Sequence, residues 1–190
     1  MWLLIASSLV ALAFILERGW ALRWNRVVPP IVQDAVESCS NQEHVTSLRQ
    51  VCEANPSEIS RLLNVASSHM DWPFEENIDA VQTRARREVM GLERGLVVLE
   101  VIVGIAPLLG LVGTIHGLIT LFGDFGKTGS ENNELLAKGI AIALNTTLMG
   151  LLIAIPSLVA WSYYTKRVET LAVEMETICD EFIRKMYRQR

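Results

Sequence analysis

Residues 96–122 read LVVLEVIVGIAPLLGLVGTIHGLITLF, an apolar run in which Glu100 and His116 are the ionisable side chains. An α-helix rises 1.5 Å per residue, so about 20 residues cross the roughly 30 Å hydrocarbon core of a bilayer. The run exceeds that length, and Glu100 lies near its start. It therefore predicts a transmembrane helix long enough to tilt or to protrude from the membrane.

Two further apolar runs lie on either side of this one. Residues 2–16 are closed by Glu17 and Arg18, and they reach the length of a span when the chain as far as Leu22 is included. This segment has no basic residue before the apolar run and no clear small-residue cleavage site, so it is interpreted as an uncleaved helix and not as a signal peptide. Residues 135–164 form the third run, with Lys138 close to its start. Three transmembrane helices are therefore expected.

The composition separates these spans from charged segments. The 190 residues are 51% hydrophobic, yet they include 17 lysines and arginines and 21 aspartates and glutamates, for a net charge of −4. No strand-like alternation occurs between the first two spans, which predicts an all-α membrane protein with long cytoplasmic helical extensions. Nucleic acid is not expected as a partner, because phosphate binding needs a concentrated basic face.

The basic residues beside the spans predict the orientation of the chain. They follow the first span, precede the second and follow the third: Arg18, Arg23, Arg26, Arg84, Arg86, Arg87, Arg94, Lys166 and Arg167. The loop between the second and third spans is short and net acidic. Because lysine and arginine accumulate in cytoplasmic loops, the N-terminus is expected in the periplasm and the C-terminus in the cytoplasm.

The chain is accordingly divided into six segments. Transmembrane helices are expected at residues 1–24, 95–122 and 134–165, a cytoplasmic helical loop at 25–94, a periplasmic hairpin loop at 123–133 and a cytoplasmic amphipathic helix at 166–190. The last segment is assigned from apolar residues that recur at steps of three and four: Val168, Leu171, Met175, Ile178, Phe182 and Met186. This stripe predicts that the third helix continues into the cytoplasm and packs there.

Local signals predict helix ends within the cytoplasmic loop. Pro30 suits the first turn of a helix, and Asn55 is predicted to cap a helix that Pro56 begins. Pro73 marks a break, after which nothing interrupts a helix from Phe74 to the membrane.

The cysteines and histidines of the cytoplasmic segments predict no cofactor. Cys39, Cys52 and Cys179 are an odd number of cysteines without a metal-type spacing, so reduced structural thiols are expected. A zinc site built from two of these cysteines with His44 and His69 is the alternative, but no CxxC or HxxxH pair supports it.

Small residues form a continuous face on each of the last two spans. In the second span these residues are Gly110, Gly113, Thr114 and Gly117, and in the third they are Gly139, Ala143, Thr147, Gly150 and Ala154. Such faces allow close approach of helix backbones in lipid, where association depends on packing and hydrogen bonds. Tight packing alone and the lining of an ion path both remain open as interpretations.

Polar residues near mid-span favour an ion path. Thr114, Asn145, Thr146 and Thr147 must satisfy their donors in a dry environment, so they are expected to face protein or a wet cavity. Pro107 and Pro156 each remove one helical hydrogen bond, which leaves a free carbonyl and favours a kink. Hydroxyls and free carbonyls can relay or solvate a cation, but they do not bind and release a proton at neutral pH.

The titrating group of such a path is missing from the middle of every span. Glu17, Glu100 and Lys138 each lie within a few residues of a span end and are expected to snorkel or cap. A proton path would therefore take its titrating group from another chain. His116 is the internal candidate for a relay, with a hydrogen-bonded packing role as the alternative.

Three stretches resemble the MotA/TolQ/ExbB proton-channel family. They are LERGL at residues 92–96, APLLGLVGTI at residues 106–115, and the small and polar positions of GIAIALNTTLMGLLIAIP at residues 139–156. Two independent motifs thus fall on the second and third spans. The topology and the C-terminal helix extend the resemblance to nearly the whole chain.

The resemblance implies a non-enzymatic subunit of the bacterial inner membrane. It implies a homo-oligomeric ring, typically a pentamer, around a dimer of ExbD/TolR-like single-span chains whose membrane aspartate carries the proton. Proton flow then drives mechanical work across the periplasm. By the same resemblance, Thr114 and Thr147 face that aspartate, and Pro107 and Pro156 match the family's helix prolines. Ile142 and Thr120 depart from relatives that carry glutamate at those positions, which leaves Asn145 and Thr146 as polar substitutes.

Three other functions are alternatives to this one. A passive membrane scaffold would use the small-residue faces for assembly alone, and it stays open. An enzyme using Glu100 and His116 is not expected, because sixteen residues of helix separate them by about 24 Å, too far for direct cooperation. A nucleotide-driven motor is not expected, because the sequence has no GxxxxGK[ST] phosphate loop. The process being driven, and the choice of proton or sodium, do not follow from the sequence.

Overall fold

The computed structural model describes residues 2–39, 42–128 and 133–188, and these ranges contain helices without strands. The helices are α1 Trp2–Ala21, α2 Trp24–Val27, α3 Pro30–Ser38, α4 Gln42–Ala54, α5 Glu58–Ser68, α6 Phe74–Glu93, α7 Leu96–Thr128 and α8 Asn133–Arg188. The chain divides into two compact units. Unit 1 comprises Met1–Glu17 and Gly95–Tyr163, and unit 2 comprises Arg18–Arg94 and Tyr164–Arg190.

Three helices are long and apolar enough to cross a membrane. These candidate spans are Trp2–Ala21, Leu96–Gly123 and Leu136–Arg188, the last of them far longer than a bilayer requires. The predicted all-α class with three apolar helices is confirmed. Most side chains along the apolar part of each span are exposed on the single chain, as expected of helices that meet lipid or other subunits. The predicted segment boundaries and orientation stay predictions, and residues 129–132 of the predicted hairpin loop lie outside the described residues.

Unit 2 is a helical core that includes the end of α8. The predicted stripe is buried in full, which confirms that this part of α8 is amphipathic and packs: Val168, Leu171, Met175, Ile178, Phe182 and Met186. Its side chains share the core of unit 2 with α5 residues that are equally buried, including Ile59, Leu62 and Leu63. The acidic residues of the same segment occupy the other faces, since a helix places successive residues 100° apart.

Two predicted helix ends are confirmed and two are wrong. Pro30 begins α3, and α6 begins directly after Pro73. Asn55 does not cap α5. Ser57 does, because its backbone is extended and its Oγ accepts the Ser60 N–H at 3.2 Å. The helix from Phe74 is not continuous into the membrane but ends at Glu93, one residue before the Arg94-Gly95 turn, where glycine is the least favourable non-proline helix residue.

Polar contacts tie the helices of unit 2 together. The buried carboxylate of Glu88 on α6 accepts hydrogen bonds from Arg61 of α5 at 2.7 and 2.9 Å and pairs with Arg84 at 2.6 Å. The bond to Glu88 raises the pKa of the Arg61 guanidinium above its ordinary value. Near the other end of α6, the Tyr187 hydroxyl donates to the Trp72 carbonyl at 2.8 Å. These contacts fix α5, α6 and the end of α8 as one body.

The three cysteines are buried free thiols, and they do not assemble with histidine into a metal site. No group of three His, Cys, Asp or Glu within the described ranges is placed to hold a metal ion, so the set of Cys39, His44, Cys52 and His69 does not come together. This arrangement agrees with the expectation of reduced structural thiols.

Cys52 is expected to resist alkylation while the protein is folded. Burial raises its pKa from 9.0 to about 11, with the Glu53 carboxylate adding to the rise and a hydrogen bond with Ser60 opposing it. Because the folded pKa is the higher one, the thiol stabilises unit 2 fully below about pH 9 and loses that contribution as pH rises toward 11. Maleimide at pH 8 should label the wild-type thiols only after denaturation, whereas Thr83→Cys, on an exposed position, should label at once. Rapid labelling of folded Cys52 would contradict the burial.

Candidate ion-path site

Three threonine hydroxyls converge on one backbone carbonyl in unit 1. Thr114 of α7 and Thr146 and Thr147 of α8 each place their hydroxyl 3.2 Å from the Gly110 carbonyl oxygen, within hydrogen-bonding distance. We call these three side chains the threonine cluster. Thr114 is 9% exposed, while Thr146 and Thr147 are half-buried. The cluster therefore has one member enclosed between the two helices and two at its edge.

The hydroxyls of the cluster also contact one another. Thr114 Oγ1 is hydrogen-bonded to Thr147 Oγ1 and lies 3.4 Å from Thr146 Oγ1. The Ala143 carbonyl oxygen lies 3.0 Å from Thr114 Oγ1 and 2.7 Å from Thr146 Oγ1, so it is an alternative acceptor for both hydroxyls. Each hydroxyl has one proton and two lone pairs, so the cluster can redirect its donors and can solvate a cation without itself becoming charged.

Glycines allow α7 and α8 to approach closely enough for these bonds. A Cβ added at Gly150 would lie 2.6 Å from the Ala106 carbonyl oxygen, and one at Gly110 would lie 3.0 Å from Thr147 Cα. Added methyls at Gly113, Gly117 and Gly139 would also meet the facing helix, at Thr146, Ala143 and Leu121. Ala143 and Ala154, which belong to the small-residue face of α8, are also buried. The sequence spacing thus creates the short distance that threonine hydroxyls need to cross between helices.

Asn145 and His116 do not join the cluster. Both side chains are exposed on the single chain. The reason is helical geometry: Asn145 is one residue from Thr146, hence about 100° around the helix, and His116 is two residues from Thr114, about 200° around it. The roles predicted for them would need a surface outside this helix pair, and they stay predictions.

The two prolines lie within continuous helices. α7 runs through Pro107 and α8 through Pro156. Each ring removes the N–H that would bond the carbonyl four residues earlier, at Val103 and Leu152. Pro156 and Leu152 line an apolar groove of about 450 Å³ with residues of α1, while Ser157 beside them donates to the Ile153 carbonyl at 2.8 Å. Neither proline supplies the carbonyl at which the threonines meet.

Sequence reasoning predicted the threonines but not their acceptors. Gly110 and Ala143 were expected as packing residues, yet their carbonyls receive the hydroxyls. A local signal was present, because threonine commonly bonds the carbonyl three or four residues earlier, and Thr114 follows Gly110 by four while Thr146 follows Ala143 by three. The bonds that cross from one helix to the other carry no such signal.

The residues of the threonine cluster fall within a match to a known protein family. The model of the MotA/TolQ/ExbB proton channel family matches residues 26–177. The chain belongs to this family. The predicted resemblance is thereby confirmed. The match includes α7, all of the threonine cluster and most of unit 2.

Individual relatives within the family come from several bacteria. The chain is 27% identical to the Tol-Pal system protein TolQ of Pseudomonas aeruginosa, over 98% of this chain and 85% of that protein. It is 33% identical to putative biopolymer transport protein ExbB-like 1 of Synechocystis sp., over 83% of this chain and 63% of that protein. Biopolymer transport protein ExbB of Helicobacter pylori is 31% identical over 55% of this chain and 68% of its own length.

Proposed function

We propose that the chain is the ring-forming subunit of a proton-driven motor in the bacterial inner membrane, an energising subunit of the TolQ/ExbB kind. In this proposal several copies, five by family resemblance, surround a dimer of ExbD/TolR-like single-span chains. The N-terminus lies in the periplasm and the C-terminus in the cytoplasm. Protons move between the ring and its partner, and the resulting motion does work across the periplasm.

The observation that carries the proposal is the threonine cluster, set in spans whose middle contains no carboxylate. Its hydroxyls are neutral at all relevant pH, so they can position and solvate a proton but cannot store one. Glu100 lies near the start of α7 and Lys138 near the start of α8, and both are exposed. The titrating carboxylate is therefore assigned to the partner, and the half-buried Thr146 and Thr147 are the hydroxyls that such a carboxylate would meet first.

The cluster suits this task because its hydrogen bonds are redundant. Three hydroxyls lie within 3.2 Å of the Gly110 carbonyl oxygen, so one hydroxyl can turn toward a partner carboxylate while another donates to the carbonyl. A hydrogen bond to a charged acceptor is roughly twice as strong as one between neutral groups. The ionised aspartate is thus stabilised on arrival, and protonation releases it.

An uncoupler separates this motor from the passive scaffold, the second candidate. Cells that depend on the chain for an envelope function are treated with a protonophore at a concentration that collapses the proton gradient while the complex stays intact by native mass. We expect the function to stop within the time in which the gradient falls. A function that continues at the untreated rate would support the scaffold, in which the small-residue faces only hold a complex together.

A further inference from the structure

Helix α6 exposes a basic stripe on the face turned away from the core of unit 2. Met90 is 68% exposed at its centre, and Arg86, Arg87 and Arg94 lie three or four residues away, on the same side of the helix. None of the three arginines has an ion-pair partner within the part of the chain that the structure describes. Glu93 is also exposed and lies three residues from Met90, so the stripe carries three positive charges and one negative charge around Met90.

The unit 2 portion of α8 exposes the opposite surface, an acidic stripe. Val173 is 64% exposed, and the stripe continues along the helix at steps of three and four: Glu169, Val173, Glu176 and Asp180. Glu169 pairs with Lys166 at 2.8 Å and Asp180 with Arg184 at 2.6 Å, both on the surface, where such pairs are weak. Glu176 has no ion pair among the described residues. Each stripe therefore places one apolar residue among charges that are mainly of one sign.

Contacts inside unit 2 give the relative direction of the two helices. The Phe74 ring of α6 meets the Tyr187 ring of α8, with 5.4 Å between centroids. Eleven residues along α6 from Phe74, Ala85 lines a groove with Glu176, which is eleven residues back along α8 from Tyr187. The helices are thus antiparallel, with Phe74 level with Tyr187 and Ala85 level with Glu176.

We propose that the basic stripe of one copy binds the acidic stripe of the next copy, which makes this pair of surfaces the subunit contact in the cytoplasmic part of the ring. The inference rests on the ring of the proposed function. When the ring axis runs parallel to these helices, neighbouring copies lie at the same height along that axis. Helix α6 of one copy then runs antiparallel to α8 of the next copy, in the same register as within one copy. The residue level with Met90 is then position 171, and Val173 is two residues, about 3 Å, beyond it.

The same small shift pairs two arginines of the basic stripe with two glutamates of the acidic stripe. Arg94 is level with position 167 and reaches Glu169, and Arg87 is level with position 174 and reaches Glu176. Long arginine side chains span 3 Å without strain, so one register places an apolar pair between two ion pairs. Because the two stripes lie on different helices, the contact is head-to-tail, the type that closes into a ring. Two copies meeting through the basic stripe alone would set arginine against arginine.

Disulfide trapping in the intact complex tests the register. A chain carrying both Met90→Cys and Val173→Cys should form a ladder of covalent oligomers on oxidation, while either change alone should give no covalent dimer. The native cysteines are buried and do not interfere. The matched control combines Thr83→Cys with Val173→Cys. Thr83 is exposed on α6 but lies seven residues from Met90, about 10 Å along the helix, so no ladder is expected.

Charge exchange gives a second readout. Arg87→Glu should increase the dissociated fraction about two- to fivefold at low salt, and Glu176→Arg in the same chain should reverse the loss. An intact ring by native mass that yields no Met90→Cys to Val173→Cys bond overturns the inference and leaves the motor standing. Bonds from these cysteines to a different protein also overturn it. A chain that forms no ring contradicts both the inference and the proposed function.

Discussion

Gly150→Ala should separate α7 from α8 and abolish the function of the complex. The added methyl would lie 2.6 Å from the Ala106 carbonyl oxygen and 3.2 Å from Gly110 Cα, and both are backbone atoms that no rotamer change can move aside. Such overpacking costs about 1–3 kcal/mol. The helices must part, and the 3.2 Å bonds from Thr146 and Thr147 to Gly110 would then lengthen beyond hydrogen-bonding distance. Activity in cells and thermal stability in detergent are the measurements.

Gly104→Ala is the matched control for this substitution. It adds the same methyl to the same pair of spans, but no heavy atom lies within 4 Å of the new Cβ. Alanine also favours a helix over glycine by about 1 kcal/mol, so stability should hold or rise slightly. Equal loss of function in both variants would show that glycine matters for a reason other than the approach of α7 to α8.

Thr147→Val and Thr114→Val should each stop proton-driven work without dismantling the complex. Valine keeps the shape of threonine and removes the hydroxyl. Hydrogen bonds between membrane helices are worth only about 0.6 kcal/mol on average, and two hydroxyls stay within reach of the Gly110 carbonyl after either change, so the helix pair should persist. Thr147→Val removes the hydroxyl that meets the partner's carboxylate, and Thr114→Val removes the hydroxyl behind it. Envelope function in cells should fall to the level of a deletion while native mass stays unchanged.

Thr120→Val supplies the control within the same span. Among the residues that the structure describes, its Oγ1 bonds the His116 carbonyl of its own helix, at 3.0 Å, and its side chain is exposed on the single chain. This variant should retain wild-type function. Full activity of Thr147→Val would show that the threonine cluster is not part of the proton path.

Local patterns explain how much of this architecture could be predicted. The three apolar helices follow from the length of each apolar run, and the buried stripe from Val168 to Met186 follows from its period, because both are properties of one segment. The sequence does not identify the α5 cap, because Asn55 and Ser57 both suit the position. Their backbone conformation decides between them, and the fold sets it.

The site could be predicted as a set of residues but not as a geometry. Spacing places Thr114 and Thr147 on small-residue faces, and adjacency suggests Asn145 as well. Three consecutive residues cover about 200° of a helix, so Asn145, Thr146 and Thr147 cannot all face α7. Which of them does so depends on the rotation of one helix against the other. That rotation is set by contacts such as Gly150 with Ala106, far apart in sequence.

The proton path is tested most directly by proton flux through the complex in proteoliposomes. The chain is reconstituted with its single-span partner, a pH gradient is imposed, and a dye inside the vesicles reports pH. Thr120→Val should conduct as the wild type does, and Thr114→Val combined with Thr147→Val should reduce flux to that of empty vesicles. Wild-type flux from the double variant, with the ring intact by native mass, would contradict a proton path along these threonines.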